Sequence, residues 1–187
     1  MENDACRELI KKAIGGDMAA FEEIYRLTSG FVFNVALRIA RQRAEAEDVT
    51  QEVFVKMHKN LGQFGFQSSL KTWLYRITVN TAISQCRKNT AETNSVLKYK
   101  NHLATEPASC PFPDPLHKKD NETVAATLLA KLDPDQRACI VLREMEGLAY
   151  DEISEILNIP MNTVRSRLHR AREALMEFVK KEALNTR

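Results

Sequence analysis

The sequence is short of several things, and each shortage narrows the field. No stretch is long and apolar enough to span a membrane, which takes about 18 consecutive residues. The N-terminal MENDACRELIKK is polar and is not a signal peptide. The expected location is therefore the cytoplasm, without membrane insertion. The 187 residues hold only six Gly and six Pro and no alternating β-branched run, which leaves an all-helical protein. The four cysteines, Cys6, Cys86, Cys110 and Cys139, are widely spaced with no C-x-x-C. In a reducing compartment they are expected as free thiols. The His residues are equally scattered, so no metal site is expected. No P-loop, G-x-G-x-x-G, G-x-S-x-G or nucleophile–base pair occurs, and nothing argues for an enzyme or a cofactor. Net charge is only +2, so the chain is not a basic polyelectrolyte.

Charge is instead segregated. Asp133, Asp135, Glu144, Glu146, Asp151, Glu152 and Glu155 face only Arg137 and Arg143 across residues 133–155. From Pro160 to Arg172 there are four Arg and no acid. Local charge of this kind sets a nucleic-acid footprint. Residues 148–178, LAYDEISEILNIPMNTVRSRLHRAREALMEF, read as two helices joined by the turn Asn158–Pro160. On the second helix Val164, Leu168, Ala171, Leu175 and Phe178 make one apolar stripe at steps of 4 and 3. At about 100° per residue, Asn162, Ser166, His169 and Glu173 fall opposite, flanked by Arg165 and Arg170. This is the layout of a helix-turn-helix, whose second helix enters the major groove. There Arg forks onto guanine and Asn onto adenine. A solvated basic face on an ordinary helix is the plainer reading, which the preceding helix (Ile153, Ile156 and Leu157 inward) and the tight turn disfavour.

Four of the six prolines (Pro107, Pro111, Pro113, Pro115) lie within nine residues. Proline forbids continuous helix, so residues 91–121 read as a flexible, Pro-rich linker between two small helical domains, 1–90 and 122–187. In the first domain a helix over 4–14 ends at Gly15-Gly16, and Asp17 caps the next, which is expected to bury Phe21, Ile24 and Tyr25. Ser29-Gly30 suggest a bend. A third helix from about Ala44 to Asn60 carries the inward stripe Val49, Val53, Met57 and Leu61, and a fourth covers about Leu70–Lys88. In the second domain a helix over about 122–132 precedes Asp133-Pro134-Asp135-Gln136, an N-terminal capping signature, and Gly147 ends the helix that follows.

Two features between Ala46 and Ala82 invite a partner. Asp48, Gln51 and Glu52 form a polar, acidic ridge on the third helix, either a docking face or, as charge alone favours, a normally solvated one. The loop LGQFGFQSS then presents Phe64 and Phe66 with Gln67, Ser68 and Ser69. Its aromatics read either as core plugs or as stacking platforms for unpaired bases, worth about 1–3 kcal/mol each. The fourth helix adds Trp73, Tyr75, Arg76, Asn80, Arg87 and Lys88. Trp73 alone reads as core, but the set suits a single-strand or melted-duplex surface.

AEDVTQEVFVKM, the Phe-rich loop, SSLKTWLYRITVNTA and LDPDQRACIVLREMEGLAYDEISEILNIPMNTVRSRLHRARE, in that order, resemble bacterial RNA polymerase sigma factors of the extracytoplasmic-function type, over about 20–90 and 122–180. The resemblance implies a non-enzymatic factor that binds core RNA polymerase and opens promoters. It places Asp48, Gln51 and Glu52 on the helix that docks on the β′ clamp, with the β flap as a second polymerase contact. It gives the melted −10 element to Phe64, Phe66, Gln67, Ser68, Ser69, Trp73, Arg76 and Asn80, with a flipped base entering the loop. It gives the −35 element to Asn162, Thr163, Arg165, Ser166, His169 and Arg170. It also implies control by an anti-sigma factor. The extra domains of larger members have no room here. Two departures stand out. Phe64-Gly65-Phe66 replaces the frequent Phe-Arg-Gly, putting a bulky residue where a small one is usual. Ala149 stands where a capping Ser or Thr is common, a loss of about 1 kcal/mol that Asp151 and Glu152 partly offset through the helix dipole.

A stand-alone helix-turn-helix regulator explains 148–178 but leaves the ridge, the aromatic loop and the fourth helix without a role. A nuclease lacks a catalytic constellation, and a pure protein adaptor leaves the arginine-rich helix unexplained.

Overall fold

The structure, a computed structural model, describes residues 4–99 and 119–185. All regular elements among them are helical. Helix α1 (Asp4–Ile14) ends where Gly16 takes φ +92°. Asp17 then caps α2 (Met18–Ala40), its carboxylate accepting the Ala19 and Ala20 N–H groups at 3.0 and 3.2 Å. This satisfies two donors that a helix start leaves without intrahelical partners.

Helix α2 runs unbroken through Ser29-Gly30, where the sequence suggested a bend. The buried stripe Ile24, Val32, Val35, Ala36 and Ile39 continues across that point. Burying each such side chain is worth about 1.5–3 kcal/mol, more than the roughly 1 kcal/mol that one helical glycine costs. Tyr25 was expected in the core but is 46% exposed. It lies past the edge of the stripe, and its ring tilts onto Phe54 at 4.5 Å. Phe21 is half-buried.

Helix α3 (Arg43–Asn60) follows a left-handed cap at Arg41, and its stripe Val49, Val53, Met57 and Leu61 is buried. A short 3-10 turn, Leu61–Gln63, leads towards α4 (Leu70–Tyr99). Helix α4 continues eleven residues past Lys88, into the segment read as linker. The sequence there, NTAETNSVLKY, holds no proline or glycine to stop it. The prolines themselves, and Cys110, lie outside the described residues. Helices α2, α3 and α4 enclose the first core, and α1 packs on α2.

The C-terminal unit comprises α5 (Lys119–Ala130), α6 (Pro134–Ile140), α7 (Tyr150–Leu157) and α8 (Met161–Asn185). Asp133 caps α6 by accepting the Gln136 N–H at 2.9 Å, with Pro134 in the first turn. A wider π-type turn over Val141–Met145 extends α6 to Gly147 at φ +72°. The core here is Leu129, Leu132, Ala138–Leu142, Ile153, Ile156, Leu157, Val164, Leu168 and Ala171. Cys86 and Cys139 are thiols whose pKa values are raised by burial, that of Cys139 to about 11.

Arg137 is 6% exposed yet charged. Burial lowers its pKa. Nε donates to the Leu129 carbonyl at 2.8 Å and Nη2 to that of Leu132 at 2.7 Å, and Nη1 reaches across to Ile39 at the end of α2. The Leu129 carbonyl also accepts the Leu132 N–H at 3.3 Å, while the Leu132 and Ile39 carbonyls follow or end helices, where the negative end of the dipole favours a cation. Arg137→Leu should lower unfolding stability by about 3 kcal/mol or more, because each orphaned buried acceptor costs roughly 1–3 kcal/mol. Denaturant titration checks this. A loss under about 1 kcal/mol would mean that water repairs the three carbonyls.

Candidate nucleic-acid interface

Three surfaces hold the residues singled out in the sequence. The first is the start of α8. Asn158 ends α7 in the left-handed conformation, φ +51°, which Asn tolerates better than branched residues. Ser154 Oγ donates to the Ile159 carbonyl at 2.6 Å, and the Ile159 N–H donates to the Ser154 carbonyl at 3.1 Å. The Pro160 carbonyl accepts the Thr163 and Val164 N–H groups at 2.8 and 3.2 Å. The turn is thus pinned from both sides. Behind it Val164, Leu168 and Ala171 are buried, while Leu175 and Phe178 are half-buried where the unit thins out.

The opposite face is in solvent. Asn162, Arg165, Ser166, His169 and Arg170 are exposed, and Thr163 is half-exposed. Asn162 Oδ1 accepts from Arg165 Nη1 at 3.2 Å, Ser166 Oγ donates to the Thr163 carbonyl at 3.0 Å, and His169 lies 3.4 Å from Glu173. The arginines divide in two. Arg167 pairs with Asp135 at 3.0 Å and Arg172 with Glu144 at 2.6 Å, which ties α8 to the helix behind it. Arg165 and Arg170 project from the exposed face.

The second surface is the loop before α4. Phe64 is a core residue, 6% exposed, between Phe66 and Trp73 at 5.0 and 5.3 Å. In this conformation it supports the loop rather than offering a face to a base. Phe66 is half-exposed and takes φ +54°. A bulky residue in that region carries backbone strain. The Arg7 guanidinium stacks over its ring at 5.2 Å. Ser69 serves the fold: its Oγ accepts the Thr72 N–H at 3.0 Å and caps α4. Gln67 is exposed, and Ser68 and Trp73 are half-buried. On α4, Arg76 is exposed and donates to the Glu155 carbonyl at 3.0 Å, and Asn80 is exposed.

The third surface is α3. Asp48, Gln51 and Glu52 are exposed on one side of it, and Glu52 pairs with Lys56 at 2.7 Å. Beside Gln51 lies an open groove of about 480 Å³ lined by Phe21, Tyr25, Phe54, Val55, His58 and Lys59. Sequence reasoning missed this groove. Its signal is apolar residues off the core stripes, namely Val55 at 51% exposure and Tyr25 at 46%. It also missed Arg7, which only the fold brings beside Phe66.

Among the described residues no cluster of His, Cys, Asp and Glu is suited to a metal, and no helix is long and apolar enough to cross a membrane.

The sigma-70 region 2 family model matches residues 24–92, and the sigma-70 region 4 model matches 124–175. The chain is 33% identical over 178 residues to the extracytoplasmic-function sigma factor SigW of Bacillus subtilis, covering 90% of this chain and 94% of that one. It belongs to the extracytoplasmic-function RNA polymerase sigma factors. The sigma-E factor of Escherichia coli is 35% identical over 176 residues, covering 89% and 90%. Among solved structures, the sigma factor RpoE of Bartonella quintana, crystallised with the anti-sigma factor NepR, superposes with TM-score 0.64 at 27% identity over 86% of this chain and 96% of that one. CnrH in complex with the cytosolic domain of CnrY shares the fold, with TM-score 0.64 at 22% identity over 95% and 98%. Sigma factors are transcription-initiation factors, not enzymes, and their partners are RNA polymerase and promoter DNA.

In this sigma factor the Glu152 carboxylate accepts the Ala149 N–H at 2.7 Å, so one half of a capping box survives without a side-chain acceptor at position 149. Ala149→Ser should supply the other half and stabilise the C-terminal unit by about 1 kcal/mol. Thermal unfolding reads this, and an unchanged midpoint would mean that Glu152 and water already satisfy the α7 start.

Proposed function

We propose that this sigma factor divides promoter recognition between two units, 1–90 and 122–187, with 91–121 as the connection. Helix α8 reads the −35 duplex through Asn162, Thr163, Arg165, Ser166, His169 and Arg170. The observation that carries this is the exposed polar face of α8, backed by the buried stripe Val164, Leu168 and Ala171. Arg165 and Asn162, already hydrogen-bonded to each other, suit base edges, and Arg170 suits a phosphate.

The loop Phe64–Ser69 and α4 as far as Asn80 hold the melted −10 strand. Phe64 and Ser69 act there from behind, by supporting and capping, while Phe66, Gln67, Trp73, Arg76 and Asn80 face the strand. Phe66 and Arg7 form a stacked pair at the place where a flipped base would enter. The α3 ridge of Asp48, Gln51 and Glu52, with the adjoining apolar groove, docks on the β′ clamp, and the C-terminal unit contacts the β flap. An apolar centre edged by polar and charged residues has the anatomy of a protein interface. An anti-sigma factor holds the chain in reserve. The Bartonella quintana complex supports this by likeness, and affinity purification from the native cell that returned only polymerase subunits would count against it.

The test is transcription by purified core polymerase on a promoter library, with and without the chain. Initiation only in its presence is expected, with common −35 and −10 sequences upstream of the starts. DNA binding by the chain without core-dependent initiation would overturn the proposal in favour of a stand-alone regulator. Arg165→Ala should relax preference at one −35 position by about 1–3 kcal/mol, whereas Arg170→Ala should weaken all sequences alike and reduce the salt slope by about 1.

A further inference from the structure

Helix α1 lies outside residues 24–92, the span that the region 2 family model matches. Ile10 is fully buried and ties α1 to the first core. One turn earlier, beside it on the helix surface, is Arg7. Arg7 is exposed, and its guanidinium lies over the Phe66 ring, 5.2 Å from the centroid. From there the rings run inward. Phe66 tilts onto Phe64 at 5.0 Å, and Phe64 onto Trp73 at 5.3 Å. Phe64 is buried, so this stack is rooted in the core and ends at the surface in an aromatic face and a cation. The loop LGQFGFQSS has no cation of its own, and Arg7 brings one to it from α1. Phe66 holds φ +54°, where a bulky side chain is strained, and strain of this kind collects at ligand-binding positions.

We propose that Arg7 is a specificity-determining residue for the −10 element. A base flipped from the strand takes the outer face of Phe66, and the guanidinium, displaced to the edge of that base, forks onto it. The inference rests on the −10 reading of the loop given under Proposed function. Phe66 cannot select by itself, because every base has a face that stacks on a ring. Selection needs hydrogen-bonding groups at the base edge, and neither Phe64 nor Phe66 has one. Arg7 does. A cation over an exposed ring is held weakly, so this long surface side chain can leave the ring face without disturbing α1. A guanidinium carries five donors in a fixed fork and no acceptor. It therefore favours a base that offers two adjacent acceptors. Guanine offers O6 and N7, and an unpaired cytosine offers O2 and N3 on its Watson–Crick edge. Adenine and thymine set a donor or a methyl group beside each acceptor of those edges. Arg7 thus selects guanine or cytosine at the flipped position.

The experiment is transcription by the full chain with core polymerase on a promoter library randomised across the −10 element. Wild type should favour guanine or cytosine over adenine and thymine by about tenfold at one position of the non-template strand. Arg7→Ala should lose that preference and keep the profile at every other position. Arg7→Lys keeps the charge without the fork and should lose the preference too. Lys12→Ala, an equal charge change at an exposed site on the same helix, should leave the profile unchanged. With an abasic residue at the selected position, wild type and Arg7→Ala should initiate equally, because the contact is to the base. An Arg7→Ala profile identical to wild type overturns the proposal. So does a uniform loss over all sequences, which would make Arg7 a phosphate or folding contact. A preference for adenine that survives Arg7→Ala also overturns it and gives the selection to the Gln67 amide. If the wild-type chain starts no transcription with core polymerase, the −10 reading of the loop falls and this inference falls with it. If it does start transcription and Arg7→Ala selects as wild type does, only the inference fails.

Discussion

A helix can read DNA only if it is held still from behind. In α8 that demand is met by three side chains, Val164, Leu168 and Ala171, all fully buried against α6 and α7. They fix the rotation of the helix, and the rotation decides which residues face outward. A rotation of about 100°, one residue on the wheel, would turn Arg165 towards the core and expose the stripe. The pinned turn Ser154–Pro160 fixes where the helix begins, and the ion pairs of Arg167 and Arg172 fix its tilt. The exposed set from Asn162 to Arg170 is what remains once those constraints are met.

The same economy runs through the charged residues. The acidic stretch before α8 supplies its partners: Asp135 takes Arg167 and Arg87, Glu144 takes Arg172, and Glu146 takes Arg38 and Tyr75. Segregated charge in the sequence therefore serves two ends. It concentrates cations on one helix, and it provides the anions that hold that helix and its unit in place. Arg137 is the extreme case, a buried cation paired with three carbonyls and no carboxylate.

Periodicity made most of the fold legible. The stripes of α3 and α8, the Asp17 and Asp133 caps and the glycine stop after α1 all follow from local rules, which operate within a turn or two of helix. Local rules failed where tertiary packing outweighed them. Gly30 did not bend α2 because the core stripe crosses it, Tyr25 stays out of the core because it lies past the edge of that stripe, and α4 ran on to Tyr99 because nothing stopped it. For the candidate site, spacing alone was enough to place Asn162, Arg165, Ser166, His169 and Arg170 on one exposed face. It could not separate the roles within the aromatic loop before α4, where Phe64 is a plug, Ser69 a cap and Phe66 a strained, half-exposed ring. Arg7 beside Phe66, and Glu146 beside Arg38 and Tyr75, are long-range juxtapositions that no periodicity encodes.

The central claim is spatial: two separate faces of one chain meet two separate parts of a promoter. Photo-crosslinking tests it most directly, with p-benzoylphenylalanine placed at Arg165 in one holoenzyme and at Gln67 in another, each on the same open promoter. Position 165 should crosslink to upstream duplex, and position 67 to the unpaired strand nearer the start site. Crosslinks from both positions to the same segment, or from position 67 to duplex alone, would contradict the account.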